Sequence, residues 1–367
     1  MPTLFEKVYG CLAGSRVASA MGAAVEGWHA DKIAAEYGFL EELLPYTHYQ
    51  HRGITWKRMP GTTEDGIERQ KLMAQAIIEK QDRITVEDMA RVAVERVDPE
   101  KMWYMSEPDD IKLVQFLKVG IHPADVGGLS AWNGLNAMAR ASHPIGLINA
   151  GDPMGAVRDA ADVGRMLFRP ADVALAWAGV YDGAIAAAMK PGATVESVIE
   201  TVFWILENMK KSSTHKSWYP DNIKREIERG LDVVAKTNDY EKARAEFYNI
   251  YNGIGTPYAM ASAAETVTKA LAMFVLAKGD AKTAILYGVN LGRDTDCMAA
   301  MGGGLSGALS GIGAVPEAWV KQVDEATFAN PYTNIQVKIE DHARGVYEAI
   351  KCRIQRMKEF ADSIDFE

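Results

Sequence analysis

The chain has 367 residues and a formal charge of −9 at neutral pH, with 48% hydrophobic and 24% charged residues. That length suffices for one large domain or two ordinary ones, and the mix excludes wholesale disorder, a collagen-like chain or a mucin-like stalk. With a sequence pI near 5.4, the chain lacks the basic footprint of a general nucleic-acid binder, so no nucleic-acid partner is expected. Cys11, Cys297 and Cys352 form no CxxC pair and no regular framework, which points to a reducing, cytoplasmic setting. The start, MPTLFEKVYG, has no basic region followed by a long apolar run, so no signal peptide is expected. No apolar stretch reaches the roughly 18 residues of a membrane helix, so no membrane partner is expected.

Taken in chain order, the elements are helical. The small-residue segment GCLAGSRVASAMGAAVE reads as a buried helix that delivers Glu26 at its end. After a Pro-Gly turn, Leu72, Met73, Ala76 and Ile77 mark a second helix. HPIGLINAGDP, residues 143–153, is punctuated by Pro and Gly and reads as a structured turn with Asx-type hydrogen bonds. Residues 171–189 form an Ala-rich core helix, and the polar stretch 208–224 reads as a surface loop. Val267, Leu271, Phe274 and Val275 make one helical stripe, and Val346, Ile350, Ile354 and Met357 make another. MAAMGGGLSGALSGIG reads as a tightly packed buried helix, broken toward its end by Gly311 and Gly313. Strand signals are scarce and no heptad persists. The expected fold is all-α, a compact orthogonal bundle in one domain over residues 1–367.

Chemistry concentrates in a few places. In GTTED, residues 61–65, hydroxyls and carboxylates stand just before a helix. Such groups either cap the helix N-terminus or converge on a hard cation, and both readings are open. In NLGRDTDC, Asp294 and Asp296 flank Thr295 after Gly292. Two carboxylates so close repel unless a cation or donors sit between them. Glu26 is either a loop carboxylate or held in a pocket. None of the 7 histidines is expected as a ligand; His143, beside Pro144, reads as a packed turn residue.

In this order, GCLAGSRVASAMGAAVEGW, GTTEDGIERQKLMAQAI, HPIGLINAGDPMGAVRDAADVG and the long stretch around NLGRDTDCMAAMGGGLSGALSGIGAVPEAW resemble the ADP-ribosylglycohydrolase family. The resemblance implies an all-α orthogonal bundle. It also implies two Mg²⁺ ions, with Mn²⁺ as an alternative, between a Thr-Asp-Asp motif and an Asp-x-Asp-Thr/Ser motif beside a ribose. Carried over by position, the ligands are Thr63, Glu64, Asp65, Asp294, Asp296 and Cys297. Glu26, Glu64 and Asp65 are the expected catalytic carboxylates, and Glu26, Asn149, Gly292 and Arg293 the expected substrate contacts. Two positions depart from the pattern. Glu64 replaces an Asp and adds about 1.5 Å of reach, while Mg²⁺ prefers oxygens at about 2.0–2.1 Å. Cys297 replaces a hydroxyl, and a thiol is a soft ligand poorly matched to Mg²⁺.

The implied reaction is hydrolysis of an N- or O-glycosidic bond at ribose C1″ of a small-molecule ribosyl or ADP-ribosyl substrate, carried free or on a modified protein. Trp28, Trp103, Tyr104, Trp132 and Tyr258 are the aromatic candidates for stacking on adenine. The alternatives are hydrolysis of a simpler N-riboside or nucleoside, and a non-catalytic binding or structural member of the same family.

Overall fold

The computed structural model describes residues 1–47, 55–102, 108–131, 133–212, 219–251 and 260–364. Eighteen α-helices dominate these residues, and the fold is all-α, as expected. The helical stripes fall where the sequence puts them. Ala263–Leu276 buries Val267, Leu271 and Phe274, and Val173–Ala188 is buried along nearly its whole length. Ile339–Asp362 buries Val346 and Ile350 and then outruns the core, leaving Ile354 and Met357 51% and 60% exposed. Of the polar stretch 208–224, expected as a loop, residues 208–212 and 219–224 are instead helical, in Val195–Ser212 and Tyr219–Thr237, and residues 213–218 lie outside the described residues. Charge suits these helix ends: Lys210 and Lys211 lie in a last turn and Asp221 in a first turn, where each complements the helix dipole.

The structural centre is a helix pair, Leu4–Gly22 and Thr295–Ser310. A Cβ placed on Gly14 would lie 2.3 Å from the Gly303 carbonyl oxygen, and one on Gly10 would lie 2.5 Å from that of Gly307. The two backbones therefore touch through glycine, which small side chains alone permit. The seam continues to the end of the first helix, where Thr295 Oγ1 donates to the Gly22 carbonyl at 2.7 Å. The Ile339–Asp362 helix packs on the first helix of this pair, and the Asp65–Lys80 helix packs in turn on Ile339–Asp362. A buried network ties them together: Arg16 Nε donates to Gln70 Oε1 at 3.0 Å, and Arg16 Nη2 meets His342 Nδ1 at 2.8 Å.

One contiguous apolar cluster runs from Val8 to Ile350, with a smaller one around Phe247, Tyr251 and Met273. Among the described residues the strands form one short antiparallel ladder, Tyr46–Thr47 with Lys57–Arg58. It places the Arg58 side chain inside the protein. No helix among the described residues is long and apolar enough to cross a membrane.

Candidate functional site

Two helix N-termini face each other across a small cavity. Glu64 precedes the Asp65–Lys80 helix and Asp294 precedes the Thr295–Ser310 helix, yet neither side chain makes a capping hydrogen bond. Both carboxylates are buried. A carboxylate used only as a cap would accept its own helix's free N–H groups; these two point elsewhere. They line a cavity of about 60 Å³ together with Glu26, Asp65, Asn136, Arg140, Asp296 and Cys297.

The glycine seam brings the third element in. The first helix ends at Gly22, a short 3-10 turn follows, and Glu26 comes next. Two backbone bonds strap this turn to the second acidic segment: Gly27 N to Arg293 O and Arg293 N to Trp28 O, both 2.8 Å. Gly292 makes the strap close-fitting, because a Cβ there would lie 2.3 Å from the Tyr248 hydroxyl and 2.8 Å from the Trp28 carbonyl oxygen. Residues 26, 64, 65, 294, 296 and 297 are thereby gathered on one cavity.

Arginines populate this site. Arg58 Nη1 pairs with Glu64 Oε1, and both side chains are buried. Arg69 Nη2 donates to Asp65 Oδ2 at 2.7 Å, while its fork also grips Asp110. Arg140 reaches across the gap between the helix ends: Nη2 pairs with Asp65 Oδ1, and Nη1 donates to Asp296 Oδ2 at 3.2 Å and to Cys297 Sγ at 2.8 Å. Asn136 Nδ2 donates to Asp294 Oδ2 at 2.7 Å. Two buried oxygens, Asp294 Oδ1 and Glu64 Oε2, have no hydrogen-bond partner.

The electrostatics follow from this crowding. Burial, with Asp294 and Glu64 close by, pushes the Glu26 carboxyl far above the usual carboxylate range. Burial and the neighbouring Glu26 and Asp294 do the same to Asp296. Burial also raises the Cys297 thiol, so this cysteine is a neutral thiol at neutral pH. Burial works against the charge on Arg140, and Asp65 and Asp296 hold it protonated all the same.

The donor set does not fit two divalent ions. Both Asp65 oxygens already accept from guanidinium groups, and Arg140 itself links Asp65 to Asp296. It does fit one. Asp294, Asp296 and Cys297 each offer a ligand atom within 4.8 Å of the others, and the two unpartnered oxygens are hard donors suited to a hard cation.

The other expected residues lie elsewhere. Thr63 is buried in the same loop but does not line the cavity. Asn149, expected at the substrate, is also away from it; its amide donates to Ile145 O at 3.0 Å and to Asp159 Oδ2 at 2.7 Å, which fixes an inter-helix turn. Arg293, expected to bind substrate, is clasped by Glu265, with Nε to Oε1 at 2.6 Å and Nη2 to Oε2 at 2.9 Å. Gly292 serves the strap. Trp28 stacks on Tyr37 at 6.3 Å and carries Lys32 Nζ 3.4 Å from its ring centre. Trp103, Tyr104, Trp132 and Tyr258 lie outside the described residues. Sequence reasoning missed Arg58, Arg69, Asn136 and Arg140. Arg69 had a signal, since it stands four residues after Asp65 on one helix face; Arg140 had none in its local sequence.

A buried acidic cavity between helix N-termini in an all-α bundle is the frame in which the comparisons with known proteins fall. The chain belongs to the ADP-ribosylglycohydrolase family, whose model matches residues 1–353. Membership supports a glycohydrolase-type function. The chain is 25% identical over 331 residues to a protein of Escherichia coli (strain K12) called "Uncharacterized protein YegU", covering 87% of this chain and 92% of that one. It is 24% identical over 336 residues to an "Uncharacterized protein" of Archaeoglobus fulgidus, covering 88% and 93%. A solved structure titled "ADP-ribosylglycohydrolase-related protein complex" superposes with a TM-score of 0.59 at 18% identity, covering 94% of this chain and 98% of that one, and so shares the fold.

Proposed function

We propose that the chain is a divalent-cation-dependent hydrolase that cleaves the glycosidic bond at C1″ of an ADP-ribosyl group. The observation that carries this reading is the pair of buried, unpartnered carboxylate oxygens, on Glu64 and Asp294, aimed at one cavity from two distant parts of the chain. A buried acceptor without a partner is costly, so the arrangement is suited to a ligand that satisfies it.

Asp294 and Asp296 are the residues that would hold a cation, with Glu64 Oε2 facing the same space. A cation there would grip ribose hydroxyls and acidify a water. The chain's own residues divide the remaining work. Glu64 is neutralised by Arg58 and Asp65 by Arg69 and Arg140, so neither is a free base. Glu26 lines the cavity beside them and is the carboxylate suited to the proton. In the reaction the C1″ bond to the leaving atom breaks as positive charge builds on the ribose ring. Glu26, kept protonated by its burial, gives its proton to the leaving atom; the water oxygen bonds to C1″, and the carboxylate so formed takes the water's proton. Asn136 holds Asp294 in place through its 2.7 Å bond.

A proton NMR time course tests this on ADP-ribosyl-arginine, an ADP-ribosyl-serine peptide, O-acetyl-ADP-ribose and several nucleosides, with Mg²⁺ and with chelator. The expected result is loss of one ADP-ribosyl anomeric signal with Mg²⁺ and none with chelator. Loss of a nucleoside signal alone would replace the substrate class by a simpler N-riboside. The arginine pairs that fill much of the site favour a second reading, a non-catalytic member of the family, and silence across the mixture would establish it over the first.

A further inference from the structure

The arginines and the two departures from the family pattern make one consistent change. Cys297 stands where the resemblance implies a hydroxyl ligand, and its sulfur accepts from Arg140 Nη1. A thiol is a poor neighbour for Mg²⁺ but an adequate acceptor for a guanidinium N–H. Glu64 stands where the resemblance implies an aspartate, and its longer side chain meets Arg58. Each altered ligand position thus contacts an arginine, and both guanidinium groups are buried or nearly so.

The charges support the same conclusion. Glu64 is balanced by Arg58, and Asp65 with Asp110 by Arg69 and Arg140. Asp294 and Asp296 line the same cavity. Asp296 receives a share of Arg140 at 3.2 Å, whereas Asp294 Oδ1 receives nothing. Guanidinium stays protonated at every pH a protein survives, and its planar fork bridges acceptors on two helices at once. A divalent cation in the same position would bring greater charge, but would also need hard oxygens on all sides, which Cys297 does not offer.

We propose that Arg140 occupies permanently one of the two cation positions of this site, so that the chain binds a single divalent cation, on Asp294 and Asp296. The proposal rests on the cation-binding part of the function above and on no part of its substrate assignment. It makes Arg140 a fixed positive charge on the cavity wall, available without any metal.

The test is a titration of the full chain with Mn²⁺, read by calorimetry and by electron paramagnetic resonance. The expected result is one Mn²⁺ per chain with the spectrum of an isolated ion. Arg140→Ala should admit a second ion and give the broadened spectrum of a coupled pair, and Arg140→Lys should keep the count at one. Asp294→Asn should weaken binding by about tenfold or more, since even outer-sphere partners contribute that much. Two coupled ions in the unaltered chain would overturn the proposal and leave metal-dependent hydrolysis standing. An Arg140→Ala chain that folds, by circular dichroism, and still binds one ion would overturn it too. No Mn²⁺ bound by the unaltered chain would overturn the single-ion count and the metal dependence of the proposed reaction together.

Discussion

At the scale of single residues, the site is held by buried ion pairs whose halves cannot be removed singly. Arg58 illustrates this. Its side chain is fully buried, pairs with Glu64, donates to the Tyr46 hydroxyl at 3.1 Å and lies 5.1 Å from the Trp56 ring centre. Removing the guanidinium strands a buried carboxylate, which typically costs about 3–5 kcal/mol, whereas removing both partners costs far less. Arg58→Met should therefore destabilise the chain by about that amount in urea denaturation with chelator present, and Arg58→Met with Glu64→Gln should recover most of it. A loss under about 1 kcal/mol for the single variant would show that Glu64 is not buried as a charge. The acidic members of the site were legible in the sequence because GTTED and DTDC bunch carboxylates at helix starts. The arginines were not, because Arg58 and Arg140 reach the site from a short strand and from a loop, and local spacing carries no trace of either approach.

At the scale of elements, the sequence exposed the composition of the central seam and hid its pairing. The runs GCLAGSRVASAMG and MAAMGGGLSGALSG announce close backbone approach, but either could have met any other small-residue face, such as the Ala-rich Val173–Ala188 helix. The structure pairs them with each other at Gly14 and Gly303, and that choice sets Glu26 beside Asp294. Gly14→Ala forces a methyl to within 2.3 Å of a backbone oxygen, and backbone yields less readily than a side chain. The expected loss is about 1–3 kcal/mol or more, read as a lower urea midpoint at unchanged slope. Gly128 is the control: nothing lies within 4 Å of its added Cβ, so Gly128→Ala should stay within about 0.5 kcal/mol. Equal effects at the two positions would mean that the seam is looser than its geometry. Turn chemistry was legible to the same partial degree. HPIGLINAGDP, expected as a turn throughout, begins as a short helix, His143–Ile148, and only its second half turns, ending where Asp152 Oδ1 accepts from Gly155 N at 2.9 Å to cap the Pro153–Val163 helix. Asn149 lies in the turn between these helices, away from the cavity, and its amide nitrogen donates to Ile145 O and Asp159 Oδ2 there.

At the scale of the whole molecule, burial of titratable groups on the helices around the central pair couples stability to pH in two opposing ways. His143 is fully buried, with Nε2 3.2 Å from the Ala300 carbonyl oxygen, and burial holds its pKa down at about 4. His342 is held below the usual histidine range by burial and by Arg16 and Lys71. An unfolded histidine titrates near about 6.5. Between the two values the unfolded chain binds more protons, so the stability that neutral His143 contributes is complete above about 6.5 and is lost as pH falls toward 4. Asp182 works in the opposite direction. Burial raises its carboxyl well above the usual range, so the folded chain binds its proton more tightly and gains relative stability as pH falls through that raised value. A bare stability curve mixes these slopes, and a difference isolates one. His143→Gln keeps an N–H donor for Ala300 and removes the titration. Between pH 7 and pH 5 the unaltered chain should lose about 2 kcal/mol more than this variant, as follows from one group moving from about 6.5 to about 4. Urea denaturation at the two pH values measures it. The fully buried ring can be protonated only by opening the helices around it, so the whole fold should report the titration in a single transition. A variant that keeps the entire acid-induced loss would place its origin in other groups, His342 first among them.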